Sequence, residues 1–300
     1  MKPTIALSGI IGTNEINVNL KNTIDNLNLH NDINAIAFDW ETVDEKLNAK
    51  IYSRNKISQG SIANADLIHI FTLGPVYTKW EKFADFLNIL NESNKKIINP
   101  IETIKYGMNK DYLFDLQSKG IATIKSKRIK IPSSINELNK YHSEFAIIKP
   151  INGERAKGVT KLADMTSEDI NHYKQTTSEL ILQPFMEEIY EGEYSIIFLN
   201  GEGTQAIKKI PKNNSFLANG ACVGAKVKNY IPNKEELEFG KEIINSFKYK
   251  IHAFRLDYLK VNDKPQIMEI ELVNPGYFMD NLDNHNEHTK HMSKFYSNLT

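Results

Sequence analysis

Arg255-Leu256-Asp257, followed by Met268-Glu269-Ile270-Glu271-Leu272-Val273-Asn274-Pro275-Gly276, is the stretch on which the fold turns. Both halves alternate apolar and polar residues, and on a strand residues two apart point to one face. Glu269 and Glu271 therefore project together, and a neighbouring strand adds Asp257. Carboxylates placed that close repel, and burying them costs more still. The pattern predicts a cation between them. All the candidate ligands are oxygens, which suits Mg²⁺ or Mn²⁺ rather than zinc. Arg255, two residues before Asp257, suggests phosphate as the shared partner.

Working back from this stretch, Glu193 to Leu199, Gln205 to Ile210, Phe254 to Leu259 and Gln266 to Leu272 read as strands, with Lys234 to Phe247 a helix between them. Residues 187–300 thus form a strand-rich C-terminal part. Residues 105–186 make a middle α+β part. It has a helix over 102–119 ended by Gly120, strands at 122–124, 145–150 and 180–185, and a helix start at Ser133 or Ser134. Residues 1–104 alternate strands (4–10, 33–38, 66–71, 96–100) with helical patterns such as Trp80, Phe83, Phe86, Leu87 and Leu90. That alternation predicts a small α/β unit with a largely parallel sheet.

Two features of the middle part draw attention. Gly153 and Gly158 have four residues between them, as in a phosphate-binding loop, but Val159-Thr160 replaces the lysine and hydroxyl pair that should follow, so this is not a Walker loop. It reads as a mobile turn between strands whose backbone N–H groups, with Arg155 or Lys157, cover phosphates, or as a turn only. Lys149 ends an apolar strand; it is either a lysine snorkelling to the rim or a charge aimed at an anion in a cleft. Glu193, after Gly192, is similarly placed.

Composition narrows the field. The 300 residues carry 37 basic and 37 acidic side chains, so nothing global favours nucleic acid or an anionic membrane. The run Lys125-Ser126-Lys127-Arg128-Ile129-Lys130 reads as a solvated strand edge. The single cysteine, Cys222, excludes an intramolecular disulfide framework and reads as a small packed residue. Met1 to Leu7 is too short an apolar stretch for a signal peptide and no run reaches membrane-spanning length, so a cytoplasmic protein is expected. Asn91-Glu92-Ser93 fits a glycosylation acceptor, without meaning in that setting. His285, His288 and His291 could share a helix face but read as part of a polar, solvated tail.

Taken in order, a strand-terminal lysine, a glycine loop, Gln183-Pro184-Phe185, Gly192-Glu193, Arg255-x-Asp257 and Glu269-x-Glu271 form a set that resembles the ATP-grasp ligase superfamily over roughly residues 105–280. The closest resemblance is to the branch of cycloserine-forming cyclo-ligases and glutathione synthetase-like enzymes. It implies an ATP-grasp fold with an N-terminal α/β substrate domain, a middle lid subdomain and a C-terminal subdomain bearing the metal site. It further implies that Lys110, after Asn109, and Lys149 contact the nucleotide, and that loop 152–158, with Gly153, Arg155, Lys157 and Gly158, closes over the β- and γ-phosphates. Gln183, Pro184, Phe185 and Met186 resemble the hinge that reads adenine, and Glu193 the carboxylate that holds the ribose. By the same resemblance Lys209, or equally Lys208, would be the phosphate-side basic residue, Asp257, Glu269 and Glu271 would hold Mg²⁺ or Mn²⁺, and Arg255 would steady the transferring phosphoryl group.

The chain departs from that pattern at two points. Asn274 stands where the cyclo-ligase branch tends to have a further carboxylate, and it reads as a substrate contact. Phe216-Leu217-Ala218-Asn219-Gly220 has Leu217 where an arginine is usual, with Asn219 left to ligate metal or touch substrate. The implied function is ATP-dependent activation of a small carboxylate as an acyl phosphate, then capture by an amine in an amide or related C–N bond. The alternatives are a ligase that modifies proteins and a non-catalytic ATP-binding module. The expected partners are small carboxylate and amine substrates, with no nucleic acid and no membrane, and oligomeric state is open, with a homodimer the commonest soluble assembly.

Overall fold

The computed structural model describes residues 2–30, 32–153, 155–213, 215–219, 223–278 and 285–300. Glu154, Gly220 and Cys222, and the side chain of His285, lie outside the described residues. Three sheets organise the chain.

The first comprises β1 (Thr4–Gly9), β2 (Asn34–Asp39), β3 (Asn48–Ser53), β4 (Lys56–Ser61), β5 (Leu67–His69) and β6 (Ile97–Ile98), in the order β4-β3-β2-β1-β5-β6. β1 runs parallel to β2 and β5, and β5 to β6, as the alternating pattern predicts. Helix α1 (Val18–Leu29) is capped by Asn17, whose side-chain oxygen accepts from the N–H groups of Asn19 and Leu20. Helix α2 (Trp80–Glu92) buries the predicted stripe of Phe83, Phe86, Leu87 and Leu90. The antiparallel β3–β4 hairpin escapes the sequence reading. Its two turn residues, Arg54 and Asn55, both have positive φ (50° and 61°). This left-handed turn matches strand twist but lacks the glycine that usually announces it.

The helix expected over 102–119 is two helices, α3 (Ile101–Gly107) and α4 (Asp111–Ser118). Tyr112, Leu113 and Leu116 of α4 pack into the core of the third sheet, so this helix sits with the C-terminal part rather than the middle one. The middle sheet is antiparallel, with β7 (Lys127–Lys130), β8 (Ile147–Pro150), β9 (Thr160–Lys161) and β10 (Glu179–Gln183) in the order β7-β10-β8-β9. Helix α5 (Ser167–Thr176) covers it, opened by a capping box between Thr166 and Asp169. The basic run occupies β7, an edge strand, with Ile129 buried and Lys127, Arg128 and Lys130 exposed. The helix expected after Ser134 is a 3₁₀ segment, Ile135–Tyr141.

The third sheet contains β11 (Glu193–Leu199), β12 (Glu202–Ile210), β13 (Lys226–Asn229), β14 (Ala253–Val261) and β15 (Lys264–Glu271), in the order β13-β12-β11-β14-β15 and antiparallel throughout. Helix α6 (Lys234–Ser246) lies so close to the sheet that a Cβ on Gly240 would come 2.0 Å from Phe198 Cζ. The final helix, α7 (His285–Ser297), corrects the expectation of a solvated tail. Met292, Phe295 and Tyr296 are buried against the first sheet, and His288 is buried with them. His69 of β5 lies in this contact, with Nδ1 2.7 Å from the Tyr296 hydroxyl and Nε2 2.8 Å from the Tyr277 hydroxyl. Burial pushes its pKa down to about 3, so the ring is neutral and one nitrogen donates while the other accepts. Among the described residues, no helix is long and apolar enough to cross a membrane.

Candidate active site

The strand register decides which side chains meet. Asp257 lies opposite Glu269 and Ser195, Arg255 opposite Glu271, and Glu193 opposite Lys209. Directly opposed residues share a face, so Glu193, Ser195, Lys209, Arg255, Asp257, Glu269 and Glu271 all stand on one side of the third sheet. The other side carries Phe198, Phe254, Leu256, Tyr258 and Ile270 into the core. The register shifts between Asp257 and Tyr258, where Tyr258 pairs with Ile267. The bulge leaves Met268 free to join an apolar patch of Ile124, Phe185, Met186, Ile189, Phe216 and Leu259.

The polar face is a chain of ion pairs. Asp257, 2% exposed, accepts from Ser195 Oγ at 2.5 Å and from Arg255 Nε at 2.9 and 3.0 Å and Nη2 at 2.7 Å. Lys209 pairs with Glu193 and lies 3.7 Å from Asp257. Lys110 Nζ stands 3.0 Å from Glu269 and donates to the Gly153 carbonyl at 2.6 Å. Glu271 Oε1 accepts from the backbone N–H groups of Val273 and Asn274 at 3.1 and 3.0 Å. Burial alone would raise the Asp257 carboxyl, but Arg255 and Lys209 overcome it and hold it at about 2. Burial lifts Glu193 to about 6 against the pull of Lys209 and also raises Glu271. Lys110 and Lys149 outweigh burial at Glu269 and keep it below the usual carboxylate range.

The repulsion among the three carboxylates is offset here by Lys110, Lys209 and Arg255, and no ready-made cluster of three metal-ligating side chains exists among the described residues. The donor set nevertheless fits Mg²⁺. Mg²⁺ typically takes one or two carboxylates, water and substrate phosphates rather than a complete protein cage, and Asp257 and Glu269 are register partners on adjacent strands.

A cavity of about 160 Å³ opens between this face and the middle sheet. Lys110, Lys149, Gln183 and Glu193 line it, as do Pro184, Phe185 and Met186 beside the apolar patch. Gly153, Arg155 and Lys157 reach it from the loop after β8, and Lys209, Asn219, Arg255, Asp257, Glu269 and Glu271 from the third sheet and its loops. Burial pulls the Lys149 ammonium down to about 8. Gln183 is held by donating to Ser126 Oγ at 2.9 Å.

Three predicted site residues do not line this cavity. Gly158, at φ +70°, serves turn geometry, with its carbonyl accepting from the Tyr173 hydroxyl at 2.7 Å. Strand alternation sends Lys208 to the opposite face from Lys209, where its Nζ lies 4.8 Å from the centre of the Tyr194 ring. Asn274 is a tie between parts, accepting from Leu73 N–H at 3.3 Å and donating to the Gly74 carbonyl at 3.1 Å. Sequence reasoning missed Ser195, whose parity with Glu193 was available, and Lys161, whose Nζ lies over Phe185 and Phe216 at 5.1 and 5.7 Å.

Residues 118–282 match the family model for the prokaryotic glutathione synthetase ATP-grasp domain. The chain belongs to this ATP-grasp family. The match takes in β7 to β15, the two sheets that wall the cleft. Glutathione synthetase of Synechococcus elongatus is 24% identical over 156 residues, 50% of this chain and 46% of that protein. The chain therefore spans about half the length of the curated relatives it matches. Among solved structures, D-cycloserine synthetase DcsG superposes with a TM-score of 0.73 at 16% identity, covering 97% of this chain and 99% of the other. Macrocyclase MdnC from Microcystis aeruginosa MRC, bound with precursor peptide MdnA, gives 0.66 at 11%, covering 98% and 99%. These likenesses show that the ATP-grasp architecture extends over the whole chain, N-terminal sheet included.

Proposed function

We propose that this chain is an ADP-forming carbon–nitrogen ligase that activates a small carboxylate with ATP and passes the acyl group to an amine. The observation that carries the reading is the register that sets Arg255, Asp257, Glu269 and Glu271 on one face, opposite a buried lysine and an apolar slot. Phe185, Met186 and Met268 offer a flat apolar place for a base, with Gln183 and the backbone of 184–186 at its edge. Glu193 lies within reach of a ribose, and Lys149 and Lys209 meet the phosphates. Asp257, Glu269 and Glu271 would hold Mg²⁺, which when bound neutralises charge between the β- and γ-phosphates.

A carboxylate resists attack by an amine, because its carbon is a weak electrophile and oxide a poor leaving group. Transfer of the γ-phosphoryl group to a carboxylate oxygen breaks the Pβ–O–Pγ link, releases ADP and leaves an acyl phosphate. Arg255 and Lys209 put fixed positive charge beside the equatorial oxygens as this happens. Loop 152–158 covers the product and keeps water from it. The amine then attacks the acyl carbon, phosphate departs and the amine loses a proton. No nucleophilic side chain is needed.

The test is incubation with Mg·ATP, hydroxylamine and pooled amino acids and small carboxylates, reading hydroxamate, ADP and phosphate, with Glu269→Gln as control. Hydroxamate and ADP that vanish in Glu269→Gln are expected. Full activity in that variant, or failure to bind Mg·ATP, overturns the reading.

A further inference from the structure

A second, smaller cavity of about 40 Å³ adjoins the cleft, sharing residues of its phosphate end and none of its base slot. It lies where the N-terminal unit meets the α3–α4 junction and the end of β15. Val76, Trp80, Met108 and Val273 supply apolar wall, and Lys110, Gly153, Glu269 and Glu271 are shared with the main cleft. Its occupant would therefore stand next to the carboxylates assigned to the phosphoryl end.

The walls say what fits. Asn274 is committed to Leu73 and Gly74, and the Tyr112 hydroxyl accepts from Ile270 N–H at 3.2 Å. Lys110, the one cation among the described lining residues, is held by Glu269 and the Gly153 carbonyl. A second anionic group would meet Glu269 and Glu271 with Lys110 already committed and any Mg²⁺ they hold shared with the phosphates, and an unpaired buried charge is strongly disfavoured. One water needs about 10–15 Å³ of such space, so the cavity holds roughly three waters, or a side chain of about three to four heavy atoms. Trp80, half-buried and tilted against Phe83, is the larger of the two N-terminal side chains, with Val76, that line the cavity.

We infer that this cavity takes the side chain of the carboxylate substrate, and that the substrate is a small monocarboxylic acid with a short apolar side chain, such as alanine or valine, rather than a dicarboxylic acid. Trp80, Val76 and Met108 are then its specificity-determining residues. The inference rests on the ligase reading, so the experiment separates the two.

Mg·ATP affinity is measured first by calorimetry. Phosphate and hydroxamate are then followed with D- and L-alanine, valine, aspartate and glutamate, and tryptophan fluorescence is titrated with the same acids in the presence of a non-hydrolysable ATP analogue and Mg²⁺. Trp40 is buried at 1% exposure and serves as constant background. Alanine or valine should drive turnover, aspartate and glutamate should not, and the fluorescence change should disappear in Trp80→Phe. Trp80→Ala should raise the KM for the acid tenfold or more with the nucleotide Kd within twofold. Met108→Trp, which fills the cavity from another wall, should raise the KM for valine more than that for alanine. Turnover with the dicarboxylic acids only, or KM values that neither variant moves, overturns the inference and leaves the ligase reading standing. Nucleotide binding with no acid driving turnover also overturns it, and absence of nucleotide binding brings down both.

Discussion

Lys110 and Glu269 meet at 3.0 Å where the loop after β8 turns over the cleft, and the same ammonium holds the Gly153 carbonyl at 2.6 Å. One cation thus joins a candidate metal ligand to the candidate lid. Nucleotide binding would draw Lys110 toward phosphate and release both partners together. Lys110→Met should raise amide hydrogen exchange across residues 152–158 several-fold in the free protein, because the loop loses its charged anchor. It should also weaken Mg·ATP binding by roughly 10-fold or more, about 1.4 kcal/mol. Unchanged exchange in the loop would contradict the anchor.

Arg255 reaches Asp257 through Nε and Nη2 and the Pro275 carbonyl through Nη1 at 2.5 Å, so its guanidinium is fixed before any substrate arrives. A preorganised donor is worth most in the transition state. Arg255→Ala should lower kcat on the order of 10²–10³-fold, the usual scale for one such donor, with a much smaller effect on the nucleotide Kd. Single-turnover phosphate release checks this, and a fall of only a few-fold counts against the role.

Lys208 and Lys209 are adjacent in sequence and opposite in space. Lys209 faces Glu193 and Asp257, whereas Lys208 rests on the Tyr194 ring outside the cleft. Lys209→Ala should cut turnover by roughly two orders of magnitude or more, and Lys208→Ala should change it less than about threefold, as expected of a residue outside the site. Equal losses in steady-state assays would mean that the strand register does not govern the chemistry.

Much of this was legible because period-two alternation is a strong signal. Glu193, Asp257, Glu269 and Glu271 sit among apolar neighbours on strands, and the same alternation that exposes them as a set folds them onto one face. The bulge at Met268 was not legible, since a register shift leaves no mark in a single strand. Asn274 reads as a substrate contact because it follows the metal strand, but its partners, Leu73 and Gly74, lie two hundred residues away and no local pattern announces them. Helix α7 reads as a tail because its mean character is polar; Met292, Phe295 and Tyr296 carry it into the core. Contact with the N-terminal sheet, a tertiary property, decides that.

Lys149 is where stability and function should separate. It is 8% exposed and its pKa is pulled from 10.5 to about 8 by burial, with Glu269 and Glu193 opposing the fall. The depressed value means that the free protein holds this ammonium at a cost. Below pH 8 the group is protonated in folded and unfolded chains alike, and the cost is fully present. Between pH 8 and 10.5 the unfolded chain binds more protons, so stability rises with pH and the cost is relieved. Lys149→Met, similar in length and uncharged, should therefore stabilise the nucleotide-free protein at pH 7 by about 1–3 kcal/mol, the fall from 10.5 to about 8 setting the upper end. That gain should shrink as the pH passes from 8 to 10.5. The same variant should lose Mg·ATP affinity by roughly 10-fold or more, since a desolvated cation facing phosphate is worth at least one charge-assisted hydrogen bond. Thermal melts across pH 6–10.5, paired with calorimetry at pH 7, test both halves. A variant that melts lower at pH 7, or whose advantage persists unchanged at pH 10.5, would show that the ammonium is already satisfied within the protein and is not waiting for an anion.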